Sequence, residues 1–138
     1  MSAGRRGGPF TLTGGYNTGT GSRALYSLTT GNYNTANGSL SLANTTTGYY
    51  TSALGDYSLT LNTGGYSNTA VGYQALQMNT SGNYSTGVGV NAGQNMAGSW
   101  NTAIGYYAGY LNTTDGDVET GTLSTRCRRR MATFSSGV

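Results

Sequence analysis

Twelve of the 24 glycines in this 138-residue chain fall at just two places in a repeating unit. Gly14, Gly31, Gly48, Gly65, Gly82 and Gly98 form one series, and Gly21, Gly38, Gly55, Gly72, Gly89 and Gly105 form the other, seven residues on. Both step by 17, 17, 17, 17 and 16 residues, so residues 14 to 114 are six copies of one unit. Units this short cannot each close a core, so each must bury its apolar side against its neighbours, and the repeat decides the fold before local propensity is consulted.

The period leaves little room for a helix, a connection and a strand. Gly, Asn, Thr, Ser and Tyr dominate, Lys is absent and Glu occurs once, and no stretch carries apolar residues at i, i+3, i+4 and i+7. Each copy reads instead as two short extended segments between glycine turns. The first is clearest in Asn68-Thr69-Ala70-Val71-Gly72 and Asn101-Thr102-Ala103-Ile104-Gly105; the weaker second is Gln74-Ala75-Leu76-Gln77-Met78, with Ser41-Leu42 and Ser58-Leu59 in equivalent places. The expected fold is all-β, a parallel β-solenoid of six coils of 16 or 17 residues, which at about 4.8 Å per coil makes a rod about 30 Å long. An N-terminal arm or cap (1–13) and a C-terminal charged tail or joint (115–138) flank the array (14–114).

Period-two alternation splits the first segment into two faces. Thr69 and Val71 oppose Asn68, Ala70 and Gly72. The β-branched face suits the lumen, which would leave Ala36, Ala53, Ala70 and Ala103 as a chain–chain face. The glycines at the second position (Gly21, Gly38, Gly55, Gly72, Gly89 and Gly105) are expected where the strand turns, at positive φ or against the backbone of the next coil. A coil this narrow buries few side chains against its backbone entropy, so self-association is expected to supply the missing burial.

Residues 65–81 and 101–108 carry Asn-Thr-Ala, a hydrophobic residue and Gly, and resemble the repeats of trimeric phage tail fibres and bacterial surface proteins, and more distantly the heads of trimeric autotransporter adhesins. The resemblance covers residues 14 to 114 and is best from Gly48 to Thr114; Thr20 and Asn37 stand in place of the aliphatic residue in the first copies. It implies a left-handed β-roll, three chains about one axis, and an exposed fibre or adhesive head. The function expected is therefore that of a structural fibre protein mediating attachment, with a self-assembling extracellular filament as the alternative. A virion fibre or a cell-surface or extracellular location follows from the same likeness. Met1 to Phe10 lacks the apolar core of an export signal, and no run of about 18 apolar residues offers a membrane span.

Chemistry finds little material. Without histidine there is no Ser-His or Cys-His pair and no histidine metal site, and the four carboxylates are Asp56 alone in the array and Asp115, Asp117 and Glu119 together beyond it. No enzyme and no cofactor are expected. The array holds only Arg23 and Asp56, so the formal +3 belongs to the ends. Arg126, Arg128, Arg129 and Arg130 form a basic run that reads as a solvated tail, as a contact for a polyanion, or as a joint with the acidic stretch upstream; it offers phosphate attraction without base readout, so nucleic acid is not the expected partner. Cys127 is the only cysteine, which rules out an internal disulfide.

Tyrosine is in excess, with twelve residues. Tyr16, Tyr33, Tyr50, Tyr84 and Trp100 share one repeat position, interrupted by Ser67, and stacked coils would align them as a ladder. Such a ladder either stiffens the rod or presents an aromatic strip to sugar rings, which makes a cell-surface glycan the candidate ligand. Asn37, Asn44, Asn79, Asn83 and Asn112 begin Asn-x-Ser/Thr sequences and are candidate glycosylation acceptors.

Overall fold

A computed structural model describes residues 13–111, 115–116 and 118–121. They form an all-β parallel solenoid with no helix. Seven three-residue strands, β1 (Thr18–Thr20), β2 (Thr35–Asn37), β3 (Ser52–Leu54), β4 (Thr69–Val71), β5 (Thr86–Val88), β6 (Thr102–Ile104) and β7 (Val118–Thr120), make one sheet in chain order. Every pair is parallel and in register, so Thr69 faces Ser52 on one side and Thr86 on the other. β7 lies in the segment expected to be a charged tail. The array therefore runs past residue 114, and Gly121 (φ 114°), 16 residues after Gly105, extends the second glycine series.

The two faces of the strand are the reverse of the expectation. Ala36, Ala53, Ala70 and Ala103 are buried inside the coil and are not a chain–chain face. The outer residues of each triplet, including Leu54 (51% exposed) and Ile104 (45%), point away from it. The cause is steric. Leu25, Leu42, Leu59 and Leu76 fill the lumen from the opposite side, leaving space for a methyl or less. At Gly87 even a Cβ would lie 2.8 Å from Leu76 Cγ and 3.0 Å from Ala92 O.

Those leucines come from the second segment, which is a run of turns and not a strand. Within it the N–H groups of Ala75, Gln77 and Asn79 donate to Gly72, Gln74 and Leu76, each three residues back, while Leu76 N–H and Met78 N–H reach Ala92 O and Gln94 O in the next coil. The backbone is thus satisfied within turns and between coils alternately. Where the leucine column lapses at Gly93, Met96 supplies the volume: a Cβ on Gly93 would sit 3.1 Å from its Cε. The shortened coil loses its residue just beyond, since Met96 and Gly98 are two apart where Asn79 and Gly82 are three apart. The deletion falls in a surface loop, so the strand register is kept.

The lumen is half polar. Asn34 Nδ2 donates to Gly48 O at 2.7 Å and its Oδ1 accepts from Thr51 N–H at 3.1 Å; Asn68 repeats the arrangement with Gly82 O and Ser85 N–H at 2.7 and 2.9 Å. Buried amides here close backbone groups that the corner of the coil leaves open.

Candidate functional site

Turn geometry sets the outer surface. Tyr16, Tyr33, Tyr50, Ser67, Tyr84 and Trp100 all have positive φ, between 54° and 65°, at the corner before each strand. At this corner the aromatic side chains lie outside the coil, from 43% exposed at Tyr84 to 81% at Tyr16. The rings stack along the rod as expected. Tyr16 and Tyr33 lie 4.9 Å apart and within 1° of parallel, Tyr33 and Tyr50 5.1 Å apart, and Tyr84 and Trp100 4.2 Å apart. Ser67 breaks the column, and the preceding one bridges the break: Tyr49 and Tyr66 stack at 4.7 Å, and each meets its neighbour, Tyr50 or Tyr84, edge to face. The strip is therefore continuous over seven rings. A hydrogen bond with Tyr66, followed by the proximity of its phenol, pushes the Tyr84 hydroxyl above the usual phenol value.

Its geometry limits what it can bind. Sugars stack on ring faces, and along the strip every ring is stacked on at least one neighbour, Tyr33 on two, so much of the face area is already occupied.

A second surface lies where each coil turns away from β4 to β6, and the aromatic reading of the sequence missed it. Gln74 and Asn91 occupy one repeat position and Gln77 and Gln94 another, and stacking brings the four amides together. Asn91 Nδ2 donates to Gln74 Oε1 at 3.1 Å and to Gln94 Oε1 at 2.8 Å; Gln94 Nε2 donates to Gln74 Oε1 at 3.1 Å and to Gln77 Oε1 at 2.8 Å. Tyrosines frame the cluster along the rod. Tyr57 and Tyr73 meet at 6.0 Å and 71° on one side, and Tyr106 and Tyr107 at 4.6 Å and 76° on the other, with Tyr110 5.1 Å from Tyr107. Partial desolvation, then the neighbouring phenols of Tyr106, Tyr110 and Tyr73, keeps the Tyr107 hydroxyl above the ordinary value. The signal was present in the sequence as 17-residue spacing of Gln and Asn, visible only once these positions are known to share one corner of the coil, where Gln74, Gln77 and Gln94 are half-buried and Asn91 is buried beneath them.

The remaining candidates fall apart spatially. All six second-position glycines combine positive φ (122° to 134°) with a carbonyl of the next coil where a Cβ would be, so both expected reasons hold together. Asn79 is no glycosylation acceptor: it is fully buried, with Nδ2 on Gly82 O at 3.1 Å and Oδ1 on Gly82 N–H at 2.8 Å. Asn37 and Asn44 are exposed, and Asn83 is half-buried with its Oδ1 on Tyr66 N–H at 2.9 Å. Asn112, Arg126, Arg128, Arg129 and Arg130 lie outside the described residues. Among the described residues no helix is long and apolar enough to cross a membrane.

Fold and surface together define a repeat scaffold whose outer face is aromatic and amide-rich. Comparison with family models, with curated proteins and with solved structures finds no match to the chain.

Proposed function

We propose that this chain is a non-catalytic structural module of an exposed fibre, on a virion or a cell surface, that assembles through the outward face of its sheet. The observation that carries the reading is the unbroken register of β1 to β7, which gives every coil the same outer surface at one pitch along the rod. Across six coils that face offers Thr18, Thr35, Ser52, Thr69, Thr86 and Thr102 in one column, and Leu54, Val71, Val88 and Ile104 in the next. Threonine and aliphatic residues facing outward in register suit burial against another copy, and the narrow lumen leaves that burial as the available source of further stability. Three chains is the number implied by the resemblance to trimeric fibres.

Light scattering of the purified chain tests this: about three times the chain mass is expected, and a stable, fully folded monomer sinks the proposal. The double variant Val71→Asp/Ile104→Asp should dissociate the assembly, because carboxylates opposed across an apolar contact lack partners. Electron micrographs separate discrete short rods from the end-to-end filaments of the alternative reading. The Tyr16 to Trp100 strip fits stiffening of the rod better than glycan contact, since every ring in it is stacked on a neighbour along the rod.

A further inference from the structure

We propose that the amide cluster of Gln74, Gln77, Asn91 and Gln94, with the neighbouring column of Tyr73, Val90 and Tyr106 beside it, is a binding site for a neutral oligosaccharide lying along the rod. It is distinct from the stacked strip and does not depend on the fibre reading.

The internal hydrogen bonds of the cluster use a particular subset of its atoms. Two amide groups donate, from Asn91 and Gln94, and three carbonyls accept, on Gln74, Gln77 and Gln94. Gln74 Nε2, Gln77 Nε2 and Asn91 Oδ1 take part in none of these bonds. Two donors and an acceptor, on side chains fixed by one another, match hydroxyls that each donate and accept. Amides ordered in this way lose little further freedom when a ligand arrives.

The flanking rings supply the apolar half of the site. Tyr73 is 46% exposed and Tyr106 55%, and each is in an edge-to-face pair. An edge-to-face pair covers one ring face in four, whereas each stacked pair in the other strip covers two, so the open faces are concentrated here. Tyr73, Val90 and Tyr106 share one column on successive coils, which separates the two tyrosines by about 10 Å, the reach of a disaccharide. Val90, exposed between them, gives an apolar floor.

Charge selects the class of sugar. Cluster and rings are neutral, and the carboxylate one coil away, Asp56, is engaged by Ser39 N–H at 2.6 Å. Among the described residues no cation lies beside the cluster, so the ligand is taken as uncharged and its affinity as insensitive to salt.

The test is calorimetric titration of the assembled protein with cellohexaose, laminarihexaose, maltohexaose, mannohexaose and chitohexaose. At least one is expected to bind, with affinity unchanged between low and high salt. Gln77→Ala and Tyr73→Ala should each weaken binding about tenfold, while Tyr84→Ala/Trp100→Ala leaves it within about twofold. Should Gln77→Ala lower the melting temperature, Tyr106→Ala, outside the amide network, takes its place. The site is overturned if no hexaose saturates the protein, if binding falls with rising salt, or if it is lost in Tyr84→Ala/Trp100→Ala and kept in Tyr73→Ala.

Discussion

In the fourth coil Ser67, Gln74 and Leu76 all hold left-handed backbone, with φ of 54°, 54° and 50°, at about 1 to 2 kcal/mol each for residues with a Cβ. The cost is met by the coils on either side: Ser67 N–H donates to Tyr49 O at 3.0 Å, Gln74 N–H to Asp56 O at 3.0 Å and Leu76 N–H to Ala92 O at 2.9 Å. The glycines of the second series have no such latitude. At Gly72 (φ 128°) a Cβ would stand 2.5 Å from Gly89 O, so Gly72→Ala should destabilise the rod by more than about 2 kcal/mol in a denaturant titration. Gly64→Ala, where the nearest atom is Thr47 Oγ1 at 3.5 Å, serves as the tolerated comparison. Asn68→Ala should cost about 2 to 5 kcal/mol in the same titration, because Gly82 O and Ser85 N–H both lose their buried partner.

Each three-residue strand is an element with an inside and an outside, and the two sides respond differently to substitution. Ala70→Leu forces extra methylenes against the leucine column and should lower the melting temperature of the folded chain, a loss of about 1 to 3 kcal/mol, whether or not the chain is associated. Val71→Asp, one residue on and facing outward, should leave the coil folded and change only the measured mass of the assembly. The turn segment is the more informative element. Its consecutive turns bury Ala75 and Leu76 and leave Gln74 and Gln77 half-buried on either side, and that is how a single stretch, Gln74 to Gln77, supplies both the lumen leucine and two members of the amide cluster.

At the scale of the whole molecule, stability is a sum over coils and their contacts, so length is adjustable without redesign. Duplicating residues 72 to 88, one full period, should give a folded rod about 4.8 Å longer, read by small-angle scattering, with a melting temperature no lower than that of the parent. The 16-residue coil indicates where length is tolerated: between Met96 and Gly98 on the surface, and not in β5 or β6. The hydroxyls of Tyr84 and Tyr107 titrate above the usual phenol value, so folding favours their neutral forms. The contribution to stability is complete below pH about 10 and disappears as pH rises through the folded-state values, which ultraviolet titration of tyrosinate follows.

Glycine spacing alone determined that the chain is a parallel solenoid, because a 17-residue period with no helical pattern has few other ways to satisfy its backbone. The same spacing aligned Tyr33 with Tyr50 and Tyr84 with Trp100, since residues one period apart must become neighbours in adjacent coils. Period-two alternation in Thr69-Ala70-Val71 separated the faces correctly but could not say which was inside. That depended on Leu76, contributed by left-handed turns that leave no composition signal when leucine, tyrosine or glutamine adopts them. The end of the array at β7 was obscured in the same way, with Val118-Glu119-Thr120 replacing Thr-Ala-Ile while Gly121 kept the period. Ring faces open at Tyr73 and Tyr106 but covered along the strip from Tyr16 to Tyr50 were decided by tertiary structure, because the angle between two rings depends on the backbone that presents them and not on their spacing in the chain.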